Sequence, residues 1–432
     1  MQFPSPLSMV FFFSLFALVS TIAIITQVNA QEEFRQREFV ESGDPEVADS
    51  NLKIEQVVEG LDTPTTMAFL GPNDFLVLEK DKGTVQRVVD GDMLDVPVLD
   101  ANVANSVERC MCGIAISKQD STTYVFLYFT EIDGEDGEDR QGKTPIGNRL
   151  YRYELVDNRL INPTLLLDLP ATPGPRHNGG IIVIGPDGNL YVTIGDIDGS
   201  FRGPDSETVT QNYHTGKEPD GRSGILRITQ NGLPVGKGIL GDELPLSLYY
   251  AYGIRNSFGL AFDPVTGKLW DTENGPGNSD EINLVEPGFN SGWQAVMGLA
   301  EIEAGFDNSE LVDFDGRGHY RDPELVWLHT VGPTAILFMT SSKLGPQYVN
   351  EMFVADVHDG RIYHFALNQD RTHLDLPGPL ANKLIRNPNS EGIEDLVFGE
   401  DFGGISDLKL GPDGYLYVVS VGLGKIFRIL PN

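Results

Sequence analysis

The sequence predicts an all-β protein, a six-bladed β-propeller with four-stranded antiparallel blades. Three observations predict it. One pattern recurs six times along the body: an apolar strand, a turn of Gly, Pro, Asp or Asn, then a second apolar strand. The copies centre near residues 71, 117, 185, 264, 345 and 411. Each copy is followed by a third short strand, in turn GTVQRVV, NRLYRYEL, SGILRI, DEINLVE, GRIYHFAL and GKIFRIL. The first two strands of each copy are apolar on both faces, as in sheets stacked between neighbours. Radial repetition of such sheets makes a propeller. A β-sandwich or a pair of smaller β domains is the alternative.

The chain begins with an export segment. Leu7 to Val28 is almost wholly apolar, and Val28-Asn29-Ala30 reads as a small-residue cleavage site before Gln31. No Lys or Arg precedes the run, and about 20 apolar residues also suffice to span a bilayer. Residues 1–30 are therefore a cleaved signal, with an uncleaved membrane anchor as the alternative, and either one places the body outside the cytoplasm. Residues 31–50 are polar and read as a linker. Residues 51–432 form the propeller, and Asn51–Gly60 is a spare strand able to complete the last blade and close the ring.

Composition bounds the partners. The 432 residues include 48 Gly and 27 Pro, which suits many short strands and tight turns. The formal net charge of −32 excludes nucleic acid, since phosphate contacts need clustered Lys and Arg. The two cysteines, Cys110 and Cys112, share one strand face. They read as two small buried side chains, with a strained disulfide as the alternative. The long insertions are 132–144, 198–222 and 287–331, and insertions at one end of a rigid scaffold are where binding groups gather.

Candidate chemistry collects at one end of the hairpins. Gly174–Asp196 folds about Pro186–Asp187, and reflection through that turn sets His177 opposite Asp196. A His beside a carboxylate can be oriented and made more basic. Reflecting the fourth hairpin sets Arg255 and Asn256 opposite Pro276 and Gly275. Thr330 precedes the first strand of the fifth blade, His358 follows its second, and Glu108 precedes the first strand of the second. All share the mouth of the central channel, the default site for such a ring. The loop Glu273–Glu281 is dense in oxygen ligands of the kind calcium takes.

Four stretches, HNGGIIVIGPDGNLYVTIGD, YGIRNSFGLAFDPVTGKLW, ENGPGNSDEINLVEPGFNSGW and DLKLGPDGYLYVV, resemble the glucose/sorbosone dehydrogenase family of exported quinoproteins. The resemblance covers about residues 52–430. It implies an oxidoreductase that oxidises a sugar hydroxyl with pyrroloquinoline quinone (PQQ) and Ca2+, passing electrons to an unidentified acceptor. His177 would be the general base and Asp196 the carboxylate that orients it. Gly275 and Pro276 would offer backbone oxygens to calcium. Glu108, Arg255, Asn256, Thr330 and His358 would surround the quinone. The family's lysine aligns with His358, and its paired arginines align with Gly404 and Ser406. Arg109 and Arg176 flank matched positions and are candidates to supply the missing charge for a tricarboxylate. The loss also leaves open a non-catalytic propeller that binds a glycan or protein, or a lactone hydrolase.

Overall fold

A computed structural model of the chain describes residues 43–134, 139, 144–197 and 207–432. The expected leader, residues 1–30, and most of the expected linker lie outside these. Among the described residues, no helix is long and apolar enough to cross a membrane.

The local chemistry of the repeat is visible in its turns. In the third hairpin, Gly188 donates its N–H to the Gly185 carbonyl at 2.9 Å, and Asp187 accepts the Asn189 N–H at 3.1 Å. Tyr191, four residues on, donates its hydroxyl to Asp187. The last hairpin repeats this wiring: Gly414 donates to Gly411, Asp413 accepts from Tyr415, and the Tyr417 hydroxyl reaches Asp413. Gly188 and Gly414 have φ of 76° and 84°, where a side chain is disfavoured, so both GPDG strings need their second glycine.

Six hydrogen-bonded sheets result. Their first three strands are Pro64–Gly71, Asp74–Glu79 and Thr84–Val89; Met111–Gln119, Thr122–Glu131 and Gly147–Val156; and Ile182–Ile184, Leu190–Ile194 and Gly224–Ile228. Then follow Ser257–Phe262, Leu269–Glu273 and Asp280–Val285; Pro333–Phe338, Met352–Asp356 and Ile362–Phe365; and Ile405–Leu410, Leu416–Ser420 and Lys425–Pro431. These are the six copies read from the sequence. The first strand of each sheet packs against the first strand of the next, and Ile405–Leu410 packs against Pro64–Gly71. The arrangement is a β-propeller.

The last sheet takes its outer strand from the other end of the chain. Leu52–Glu59 pairs antiparallel with Lys425–Pro431, so the spare strand does complete that sheet. Glu46–Val47, inside the expected linker, pairs with Val397–Glu400, so strand pairing begins ahead of residue 51. The expectation of four strands per sheet holds for only two sheets, and the others carry five or six. The extra strand of the fifth sheet is Glu46–Val47, and those of the third come from an insertion. Phe289–Asn290 and His319–Tyr320, both in the 287–331 insertion, add in parallel to the third sheet.

The core lies between sheets. Tyr128 and Phe126 of the second sheet pack with Ile182 and Val192 of the third. Trp270 and Trp327 of the fourth pack with Val354 and Tyr363 of the fifth. Full burial of each such side chain contributes about 1.5–3 kcal/mol. Cys110 and Cys112 are buried as expected and are joined in a disulfide, the reading held as the alternative. That bridge lies beside Gly180, where a Cβ would stand 2.7 Å from that of Cys112, so a glycine is required there.

Candidate active site at the mouth of the ring

His177 lies just before the first strand of the third sheet, and Asp196 just after the second. The ladder pairs Ile182 with Val192 and Ile184 with Leu190, which centres it on Asp187. This is half a residue from the centre expected, and a straight continuation would miss Asp196. Positive φ at His177, Gly179 and Gly180 breaks the regular strand and recovers the meeting. His177 Nδ1 and Asp196 Oδ1 are 2.5 Å apart, and both side chains are buried. Gly195 makes the approach possible, because a Cβ there would lie 2.6 Å from the His177 carbonyl oxygen. A φ of 60° at a histidine is costly, and such strain concentrates at functional positions.

Around this pair the expected residues assemble. Glu108 accepts the backbone N–H of His177 at 2.6 Å and the Asn256 side-chain amide at 3.2 Å. Asp196 donates its own N–H to the Arg255 carbonyl. Burial alone would raise the Asp196 carboxyl, but His177, Arg255 and Trp293 hold it below its usual range. The imidazole is thus held by Nδ1 against an anion, which leaves Nε2 as the nitrogen able to exchange a proton with a ligand.

The second half of the site is the loop after Leu269–Glu273. A register shift between Ser257 and Gly259 moves its partners by one residue from those expected. Asn256 meets Asn274, whose N–H it accepts at 2.8 Å, rather than Gly275. Arg255 reaches Gly275 rather than Pro276: its Nη1 donates to the carbonyls of Asn274 at 2.6 Å and Gly275 at 2.9 Å. Asp280 then ties this loop to the next sheet. It accepts the Gly275 N–H and those of Val331 and Gly332, all within 2.8 Å. His358 donates its backbone N–H to Val331, and its Nδ1 lies 3.3 Å from the Thr330 carbonyl. Among the described residues, hydrogen bonds therefore join every candidate residue except Pro276, which is tied to them through its covalent neighbour Gly275.

The sequence reading missed three features. Trp293, which lies in the 287–331 insertion, donates its indole N–H to Asp196 Oδ2 at 2.8 Å. The Arg255 guanidinium lies over its ring, 5.4 Å from the centroid. Behind Arg255 sit three fully buried carboxylates, Asp271, Glu273 and Glu281. Burial pushes Glu273 up to about 7 and raises Asp271 and Glu281 as well. Glu273 accepts the Arg255 backbone N–H at 2.6 Å. Its alternation with Asp271 along one strand was legible as a polar face, but the burial was not.

The charges expected to replace the missing cations divide. Arg109 is spent: it pairs with buried Asp139 at 3.1 Å and donates to the carbonyls of Ala171 and Gly174. Arg176, half-buried beside His177, makes no hydrogen bond or ion pair among the described residues. Ser406 donates its hydroxyl to the Pro64 carbonyl at 2.8 Å. Among the described residues no group of three or more His, Cys, Asp or Glu is arranged to hold a metal. Any cation here would rest on backbone oxygens. The donor set suits one, since the Asn274 and Gly275 carbonyls already hold a guanidinium. A polar ligand also fits, because buried Arg255 Nε and Asn256 Oδ1, a donor and an acceptor on adjacent residues, have no partner among the described residues.

Comparison with known proteins follows the same outline. Residues 61–428 match the model of the Glucose / Sorbosone dehydrogenase family. An uncharacterised protein of Synechocystis is 26% identical over 91% of this chain and 88% of its own length. An aldose sugar dehydrogenase of Escherichia coli is 22% identical over 89% of this chain and 94% of its own. The PQQ-bound form of aldose sugar dehydrogenase from Streptomyces coelicolor superposes with a TM-score of 0.62 at 23% identity, covering 89% of this chain and 99% of that one.

Proposed function

Because the chain belongs to the Glucose / Sorbosone dehydrogenase family, we propose that it is an extracytoplasmic oxidoreductase that oxidises an aldose hydroxyl with PQQ and calcium. We read each of the six sheets as one blade, with the site at the mouth they share. The observation that carries the reading is the His177–Asp196 pair, buried and braced at the same edge as the Gly275 carbonyl.

The chemistry that bound PQQ would supply is a hydride acceptor, with calcium as a Lewis acid beside it. The chain's own residues do the rest. His177 takes the hydroxyl proton at Nε2, the nitrogen left open by the bond to Asp196. Asp196 fixes the ring and stabilises the imidazolium that forms. Glu108 anchors the His177 backbone and orients Asn256, whose Oδ1 is open to a donor. Gly275 and Pro276 would hold the calcium through their carbonyls, which requires Arg255 to turn from Gly275 towards the ligand. Thr330 and His358 form the facing wall. The relatives' names support this reading: one curated relative is an aldose sugar dehydrogenase, and one solved neighbour carries PQQ.

A second reading is a non-catalytic propeller that binds a glycan or protein. The consumption of Arg109 by Asp139 and the absence of cations at Gly404 and Ser406 favour it. The two separate cleanly. Purified protein is mixed with calcium and PQQ, and dye reduction is followed with several aldoses. Turnover that disappears in His177→Ala supports the dehydrogenase. Failure to bind PQQ at any concentration, read by tryptophan fluorescence, supports the binding protein. Retention of the chain in the membrane fraction, or release of a mature form starting at Gln31, tests the two N-terminal readings.

A further inference from the structure

We propose that Trp293 is a positioning residue for the base: its indole N–H fixes the Asp196 carboxylate and so determines where His177 points. This rests on His177 acting as the base. Asp196 is almost wholly buried and uses one oxygen for His177 Nδ1. The other oxygen accepts the Trp293 Nε1–H at 2.8 Å. A carboxylate held through both oxygens cannot rotate about its Cβ–Cγ bond, and the imidazole it holds cannot rotate either. An indole N–H does not ionise in the working range, so the brace persists at every pH where the base operates.

Trp293 is itself fixed from both sides. Its backbone N–H donates to the Gly253 carbonyl at 3.0 Å, and its carbonyl accepts the Asn212 side chain at 2.8 Å. The next residue, Gln294, donates its N–H to the Gln211 carbonyl at 2.9 Å, and the Gln211 side chain reaches the Asp196 carbonyl at 3.4 Å. The insertion that carries Trp293 is thus sewn to the 211–212 turn and to the strand end at Gly253. The indole also lies under the Arg255 guanidinium, so one flat side chain spans the base and the carbonyl-holding cation. Among the described residues, the groups facing the Asp196 carboxylate include His177, Arg255 and Trp293, with Glu273 near enough to feel its charge. Of these, Trp293 offers the donor that carries no charge of its own.

The test uses the full chain with Trp293→Phe, which keeps an aromatic ring and removes the donor. In the apoprotein, the far-downfield proton signal of the His177–Asp196 bond should shift or broaden. This readout needs no cofactor, so it succeeds or fails independently of the dehydrogenase reading. In the PQQ-loaded protein, kcat should fall about tenfold with KM unchanged. The acid limb of the pH profile should move up, because the carboxylate is left with a less delocalised charge. In an Asp196→Asn background, Trp293→Phe should cost little more, since the two act through one bond. If Trp293→Phe folds poorly, β-(3-benzothienyl)alanine at 293 keeps the bicyclic shape without the N–H, and the same outcomes apply. An unchanged imidazole signal, or a loss equally large in the Asp196→Asn background, would overturn the proposal and make Trp293 packing only.

Discussion

Two buried aspartates occupy similar places in two sheets of the ring and behave in opposite ways. Asp196 follows the second strand of the third sheet, and Asp356 ends the second strand of the fifth. Asp196 spends its oxygens on His177 and Trp293, and its carboxyl is held below the usual range. Asp356 spends its oxygens on its own turn: three backbone N–H groups, from Asp359, Gly360 and Arg361, and the Tyr363 hydroxyl. Burial, helped by Asp359, pushes it up to about 7. The repeat thus delivers an acid to the mouth in both sheets. Only at Asp196 is that acid held by a neighbouring imidazole and by an indole from an insertion.

The comparison breaks most sharply through turnover. His177→Ala should cost about a thousandfold in kcat, the scale of losing a general base, while Asp356→Asn leaves kcat unchanged. Equal losses in the two variants, measured by dye reduction, would erase the distinction between them.

A third buried charge extends the comparison to stability. Arg109→Gln strands Asp139, which also accepts the N–H groups of Asn105 and Ser106. Breaking a buried pair costs about 3–5 kcal/mol. Urea unfolding should show that loss, and PQQ affinity should not change. A weakened PQQ affinity would instead place Arg109 in the pocket.

The pH dependence has opposite signs at the two aspartates. Asp356, raised when folded, retains its proton above the unfolded pKa. Stability is therefore greatest below about pH 4 for this group and is lost as pH rises towards 7. In Asp356→Asn that decline should flatten, by on the order of 2–4 kcal/mol between pH 5 and 8. Asp196, depressed when folded, contributes above its unfolded pKa, and the contribution is lost as pH falls through the folded value. Thermal melts of both Asn variants across pH 3–8 check the two slopes.

The smallest effect expected is a gain. Ser406→Arg restores a cation at a position where the resemblance places one, and PQQ should bind about tenfold tighter, or ~1.4 kcal/mol. No change would favour the binding-protein reading, in which no tricarboxylate occupies the mouth.

What the residues alone determined is the repeat and its polarity. Apolar runs split by Gly-Pro-Asp-Gly turns fix hairpins locally, and a two-residue period decides which ends face the same way. That suffices to bring His177, Asp196, Arg255, Asn256, Gly275, Thr330 and His358 to one mouth, and to find the strand Leu52–Glu59 that completes the last sheet. Contacts outside the regular ladder needed the tertiary structure. A bulge at Ser257–Gly259 moved Arg255 by one partner, a buried Asp139 consumed Arg109, and an irregular insertion carried Trp293 onto Asp196. None of these follows a period, because each depends on which far-off backbone a side chain meets once water has been excluded, and sequence spacing carries no record of that distance.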